Sequence, residues 1–307
     1  MDNIKIQAPA TIANLSCGFD ILGLCVSNPY DEIEIIKTSN KNISLQILDS
    51  KYSNIPDNPD QNTGGVPAKL IQKDFKLDFG FRIKIKKGIP LCGGLGSSAA
   101  TSVGVVFGIN QLLDLKLSQK ELLKYAMEGE KVSVSNPHAD NVAPCLIGGL
   151  TLIRDTKTLD ISTISISQYH IALINPDIKI KTEDARNILP EKIQLETAIK
   201  QWGNVGALVY GFVSKDNQLI KRSMNDFVIE PVRSKLINGF YEIKKISLEM
   251  GAIGAGISGS GPTMFALFES KKNAENVIKL SKQYYESINM RCNTFLANVN
   301  MNGPIIL

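Results

Sequence analysis

Apolar and polar residues along this chain fall into short runs with two different periods. Ile4–Ala8, Asp31–Lys37 and Ile43–Leu48 alternate or run apolar in the manner of strands. FRIKIK at Phe81–Lys86 is the clearest: Phe81, Ile83 and Ile85 face one way and Arg82, Lys84 and Lys86 the other, as in a half-buried strand of an antiparallel sheet. From Ser97 to Leu113 the residues are small and apolar nearly all round, which predicts a buried helix. Ser118 caps a second helix, KELLKYAMEGEKV, and DNVAPCLIGGLTLI is expected to end the first half in a strand.

The sequence turns polar around Asp155–Thr163, which places a domain boundary there and divides the chain into 1–158 and 159–307. The second half opens with a strand near His170–Asn175. Thr182 then caps a short helix that Pro190 closes, and a longer helix is expected over Ser234–Met250. A glycine-rich loop, GAIGAGISGSGP, leads into the strand TMFALF, and helix Ala274–Ser287 and strand Thr294–Asn300 follow. Helices and strands mix without regular β-α alternation, so the expected class is α+β with largely antiparallel sheets.

Composition narrows the function. With 307 residues, 43% hydrophobic and 21% charged, the chain has the balance of a soluble globular protein of roughly two domains. MDNIKIQAP holds no apolar signal core, and no run reaches the ~18 apolar residues of a spanning helix, so a cytoplasmic location and no membrane partner are expected. Five cysteines without C-x-x-C spacing read as reduced thiols, and two histidines make a transition-metal cluster improbable. A net charge of +4 and a pI near 8.6 are too mildly basic to indicate a nucleic-acid partner. The densest basic run, Arg82, Lys84, Lys86 and Lys87, is either the solvated face of a strand or the flank of a phosphate site.

That second possibility arises because the run lies just upstream of PLCGGLGSSAAT, Pro90–Thr101, where side chains nearly vanish. Gly94, Gly96 and Ala99 match G-x-G-x-x-A, yet the preceding strand alternates and a capped helix follows Asp114, so the context of a dinucleotide fold is missing. No Gly-Lys-Ser/Thr follows, which excludes a Walker A loop. What remains is a glycine loop entering a helix at Ser97-Ser98. The first-turn amides of such a helix lack partners and sit at the positive end of its dipole, where a phosphate chain binds.

PLCGGLGSSAAT resembles the phosphate loop of the galactokinase, homoserine kinase, mevalonate kinase and phosphomevalonate kinase (GHMP) superfamily. PATIANLSCGFDILG at Pro9–Gly23 is similar to the first motif of homoserine kinases, and GAGISGSGPTMFAL at Gly254–Leu267 to the superfamily's third motif. HADNVAPCLIGG and the segments around TEDAR and EPVR are also similar to homoserine kinases, so the likeness covers nearly the whole chain in order. The resemblance implies an N-terminal domain like the second domain of ribosomal protein S5, a ferredoxin-like C-terminal domain, and a site between them. It implies transfer of the ATP γ-phosphoryl group to the side-chain hydroxyl of L-homoserine, with Mg2+ as cofactor and a homodimer as the possible assembly.

By the same resemblance Asp20 meets the substrate ammonium with Asn14 beside it, and Arg186 and Arg233 hold the carboxylate, with His138 and Thr182 completing the substrate set. Pro90, Leu91, Cys92, Gly93, Gly94, Leu95, Gly96, Ser97, Ser98 and Ala99 surround the phosphates, with Lys87 as a neighbour and Asn62 on the nucleoside side. Ser98 and Glu130 match the magnesium ligands. Where other superfamily kinases carry an aspartate read as general base, seven residues before a Gly-Gly pair, this chain has Asn141. An amide is no base at neutral pH, so the resemblance implies catalysis by positioning, with Asn141 orienting the hydroxyl. Asp140 is the candidate substitute base that the register disfavours. Ser16-Cys17 stands where many relatives have Gly-Pro, and Cys92 lies inside the phosphate loop. A sister kinase and a non-catalytic sensor on the same scaffold are the rival functions.

Overall fold

A computed structural model of the protein describes residues 2–48, 55–133 and 138–307. In chain order the first half contributes β1 (Asn3–Ala13), β2 (Leu22–Thr38), β3 (Ile43–Ile47), α1 (Gly65–Asp74), β4 (Gly80–Lys86), α2 (Ser97–Leu113), α3 (Gln119–Glu130), α4 (Ala139–Ile147), β5 (Leu150–Asp155) and β6 (Asp160–Ile164). The second half adds β7 (His170–Pro176), α5 (Thr182–Asn187), α6 (Leu195–Ser214), α7 (Asn217–Ser223), α8 (Glu230–Arg233), α9 (Phe240–Glu249), β8 (Gly254–Ile257), β9 (Met264–Phe268), α10 (Lys271–Ser287), β10 (Cys292–Asn298) and β11 (Ile305–Ile306).

Alternation decides the first sheet. Ile33 and Ile35 of β2 stand opposite Ile85 and Ile83 of β4, all fully buried, while the polar residues between them pair on the other face. Lys84 reaches Glu34 at 3.0 Å and Lys86 reaches Glu32 at 2.8 Å. The basic run is therefore largely a cross-strand ladder with β2 acids, the strand-face reading of the two. Helix α2 lies directly on this sheet because Gly104 and Gly108 have no side chains: a Cβ at either would come within 2.4 Å of Ile33 or Ile35. The sheet runs β11-β1-β2-β4-β3, with the β5-β6 hairpin attached to β2, and only β3-β4 pair in parallel.

The second sheet, ordered β10-β7-β9-β8, is antiparallel throughout. With α9 before the β8-β9 hairpin and α10 before β10, it is the ferredoxin-like arrangement, and the α+β two-domain expectation holds. A hydrophobic cluster centred on α2 and the first sheet extends to Leu208 and Phe212 of α6 and Phe265 of β9, so the two halves share a core. Among the described residues no helix is long and apolar enough to cross a membrane.

Four expectations need correction. Residues 140–147 form helix α4, not a strand; an apolar run alone does not distinguish the two, and Gly148 and Gly149, both with positive φ, end the helix before β5 begins. The helix expected over Ser234–Met250 breaks into a 3-10 turn and α9 at Gly239, whose φ of 81° places the absent Cβ 2.5 Å from the Tyr284 ring. No element is expected where α6 and α7 stand. A boundary at 158 would cut the β5-β6 hairpin; the change of sheet falls between Ile164 and His170, and β11 returns to pair with β1.

Candidate active site

The glycine stretch forms a loop whose carbonyls all point into protein. Gly93 O accepts from Thr263 N, Gly94 O from Ser258 Oγ at 2.6 Å, Leu95 O from Thr11 N, and Ser97 O from Lys87 Nζ at 2.9 Å. With the carbonyls tied outward, the amides of Gly94, Leu95 and Gly96 meet no acceptor among the described residues and lead into the first turn of α2. The peptide groups thus present a row of donors at the positive end of a helix, the arrangement that binds anions. The glycines themselves answer to protein neighbours as much as to a ligand. Gly94 (φ 76°) would put a Cβ 2.2 Å from Ser258 O, and Gly96 (φ 67°), the N-cap of α2, would put one 2.2 Å from Thr11 Oγ1. Cys92, also at positive φ, is exposed on the same loop beside Pro90 and Leu91, and Ala99 is buried in α2.

Below this loop, Ser98 Oγ donates to Glu130 Oε2 at 2.8 Å. Glu130, the last residue of α3, is buried, not exposed as its EGEK context would suggest, and its Oε1 is buried without a partner among the described residues. Burial pushes its carboxyl up to about 7, a rise that the Ser98 bond and the charge of Lys87 only partly offset. An oxygen-only pair with one carboxylate oxygen unsatisfied suits a hard cation that takes its other ligands from phosphates and water. The structure therefore fits the magnesium assignment of Ser98 and Glu130.

Two nucleotide-side expectations change. Lys87 is buried, and its ammonium is used up by Asp31, by Ser97 O and by Thr101 Oγ1 at 3.0 Å; Asp31 in turn accepts from the amides of Gly88 and Ile89. It is a tie between the end of β4 and the start of α2, and all three ammonium protons are committed to it. Asn62 is buried and bonds its own loop, Nδ2 to Pro56 O at 2.7 Å and Oδ1 from Gly64 N at 2.8 Å. It shapes the segment that lies against α2.

On the other side of the loop the first motif makes a tight bend. Asn14, Leu15, Ser16 and Asp20 all have positive φ, a strained run of the kind that concentrates at functional sites. Asn14 Oδ1 accepts from Asp20 N, and its Nδ2 donates to Gly259 O of the third motif at 3.0 Å. Asp20 faces Arg186 across the two halves, with Nη2 at 2.8 and 3.1 Å from its two oxygens, and His138 Nδ1 stands 3.4 Å from Oδ2. Burial lowers the His138 pKa, against the pull of Asp20. Arg233 is buried, donating to Ala185 O and Gly259 O, and both guanidiniums lie over the Phe19 ring at 5.0–5.2 Å. Burial, with Arg186 nearby, brings Arg233 down to about 10, which leaves it charged at neutral pH. Thr182 is the first residue of α5; its side chain lies outside the described part of the chain.

Asn141 sits where these groups meet. Its Oδ1 accepts from the buried Thr11 hydroxyl at 2.7 Å and lies 2.8 Å from where a Cβ on Gly96 would be, so the amide abuts the phosphate loop. Asp140, one residue earlier and so rotated ~100° around α4, is buried among Asp20, Arg186 and Arg233. Burial and the charge of Asp20 push it up to about 7, despite both arginines.

The N-terminal domain model of the GHMP kinases matches residues 66–149, and the C-terminal model residues 208–286. A homoserine kinase of Chloroherpeton thalassium is 36% identical over all of both chains, and one of Methanococcus maripaludis 40% identical over 91% of this chain and 93% of that one. The crystal structure of homoserine kinase from Cytophaga hutchinsonii superposes with a TM-score of 0.96 at 42% identity, covering 100% of this chain and 98% of that one. The chain belongs to the homoserine kinase family of the GHMP kinases. A mevalonate kinase of L. major, solved with R-mevalonate, shares the fold, with a TM-score of 0.73 at 16% identity over 96% and 95% of the two chains.

Within this homoserine kinase frame the structure brings together Asn14, Asp20, Arg186, Arg233 and His138 on one side of Asn141, and places the phosphate loop on the other. Sequence reasoning misses Thr11, Phe19 and Ser258. Thr11 and Phe19 lie inside PATIANLSCGFDILG and Ser258 inside GAGISGSGPTMFAL, so motif membership signals them; their roles depend on contacts 130 or more residues away in sequence.

Proposed function

We propose that this chain transfers the γ-phosphoryl group of ATP to the side-chain hydroxyl of L-homoserine, giving O-phospho-L-homoserine and ADP on the route to threonine in the cytoplasm. The observation that carries the reading is the Asp20–Arg186 pair, an anion and a cation held face to face beside Asn141. A zwitterionic amino acid can replace each half of such a pair with its own opposite charge: its ammonium meets Asp20 and its carboxylate meets Arg186, with Arg233 and the Phe19 face behind. Mevalonate, which has no ammonium, leaves Asp20 unanswered.

The triphosphate lies along the amides of Gly94–Ser98, and the α2 dipole supports its charge. Mg2+ held by Ser98 and Glu130 supplies neutralisation of phosphate charge. The Asn141 amide, with Oδ1 fixed by Thr11, presents Nδ2 to the homoserine hydroxyl and holds it in line with the γ-phosphorus. The bond from phosphorus to the β-γ bridging oxygen breaks as the bond to the hydroxyl oxygen forms. The hydroxyl proton passes to an oxygen of the transferred group and on to solvent, which a loose transition state permits because the nucleophile needs little prior activation. A coupled ADP-release assay over homoserine, serine, threonine, mevalonate and shikimate tests this: homoserine should be turned over far faster than the others, and preference for mevalonate or an absence of turnover refutes it.

A further inference from the structure

Exposed apolar side chains are not spread evenly over this molecule. Along α6, Leu195, Ile199, Trp202, Tyr210 and Val213 are each 56–67% exposed. With Gly206 between Trp202 and Tyr210, their steps of 4, 3, 4, 4 and 3 residues draw one straight stripe down a 20-residue helix about 30 Å long. Taking each exposed fraction of a side chain of ordinary size, the stripe shows roughly 600 Å² of apolar surface, at the top of what a monomer carries and near the apolar share of one side of a standard protein interface.

The helix cannot turn this stripe inward. Its opposite face is fixed: Leu208 and Phe212 are in the shared core, and Gln201 donates to Cys17 O at 2.8 Å and to Asp226 at 3.0 Å. At the middle of the helix, Gly203 and Gly206 have nothing within 4 Å of where a Cβ would stand. The profile is therefore large, then low, then large again, and that shape is its own complement under a two-fold rotation. We infer that α6 is the docking surface for a second copy of this chain, with the two α6 helices crossing antiparallel at Gly203 and Gly206. In that crossing Trp202 of each copy lies over the glycine gap of the other and Ile199 packs against Tyr210, an isologous contact that closes as a dimer.

Trp202 is the single tryptophan of the chain, so its emission reports on this surface alone. The test is sedimentation equilibrium and tryptophan emission of the full chain over a dilution series, for the unaltered protein and for Ile199→Glu and Val213→Glu. The inference expects twice the 33.6 kDa chain mass, with Trp202 emission moving to longer wavelength as dilution splits the dimer. Both variants should sediment at the single-chain mass with the red-shifted emission. A single-chain mass for the unaltered protein overturns it, as does a dimer with solvent-exposed Trp202 emission. Should either variant fail to fold, the dilution series of the unaltered protein still decides. Neither readout needs turnover, so failure here leaves the proposed reaction standing.

Discussion

Asn141 and Asp140 are neighbours with separate duties. Asn141 is fixed by Thr11 at the phosphate loop, whereas Asp140 is buried on the side of Asp20, Arg186 and Arg233. Asn141→Ala should lower kcat by on the order of 100-fold with ATP affinity little changed, because only the orientation of the attacking oxygen is lost. Asp140→Asn should act mainly on homoserine KM. A carboxyl near 7 is well tuned for a base, so the comparison is decisive: loss of turnover in Asp140→Asn with retention in Asn141→Ala makes Asp140 the base. Glu130 and Asp140 also set a pH dependence. Their folded pKa values lie near 7, above ordinary values of 4.5 and 3.8, so the folded chain holds protons that the unfolded chain has released. Their contribution to the stability of the nucleotide-free protein therefore falls as pH rises through that window. Glu130→Gln should flatten part of the fall in a thermal-melt series run without nucleotide or metal, and should lower activity in a way that extra magnesium partly restores. A melting temperature that falls as steeply in Glu130→Gln as in the unaltered chain contradicts the Glu130 assignment.

The phosphate loop works as an element because its carbonyls are spoken for. Gly94→Ala imposes a positive φ on alanine and a Cβ 2.2 Å from Ser258 O, so it should destabilise the chain by about 1–3 kcal/mol and weaken ADP binding together. Gly93→Ala, with its nearest neighbour at 3.1 Å, should be milder on both, which paired melts and nucleotide titrations measure. The glycines were readable in the sequence, but their partners were not: Ser258 and Thr11 lie in the other two motifs, and only folding brings their oxygens against Gly94 and Gly96. The same limit governs Lys87, whose sequence position beside the loop gives no sign that Asp31 on β2 claims it. Alternation revealed β4 and a small-residue run revealed α2, because each pattern has one structural solution. The apolar run of α4 has two. Helix α6 offers a weaker signal still, since its apolar residues ring both faces, one in the core and one in solvent.

At the scale of the molecule, the site exists because two sheets share one core and hold three motifs in register. The first motif supplies Asp20, the third supplies Gly259 and Ser258, and α5 and α8 carry Arg186 and Arg233 across from the second half. The claim that most distinguishes this site is that it reads a zwitterion by exchanging partners with Asp20–Arg186. The direct test is kcat/KM, from ADP release, for L-homoserine, 3-aminopropanol and 4-hydroxybutyrate, which respectively keep both charges, only the ammonium, and only the carboxylate. Because a buried polar site rejects analogues that leave its groups unpaired, each single-charge analogue should fall by on the order of 10⁴-fold. An analogue lacking one charge that is phosphorylated within about tenfold of homoserine would contradict the account, since about 1.4 kcal/mol is too little for a lost buried charge pair.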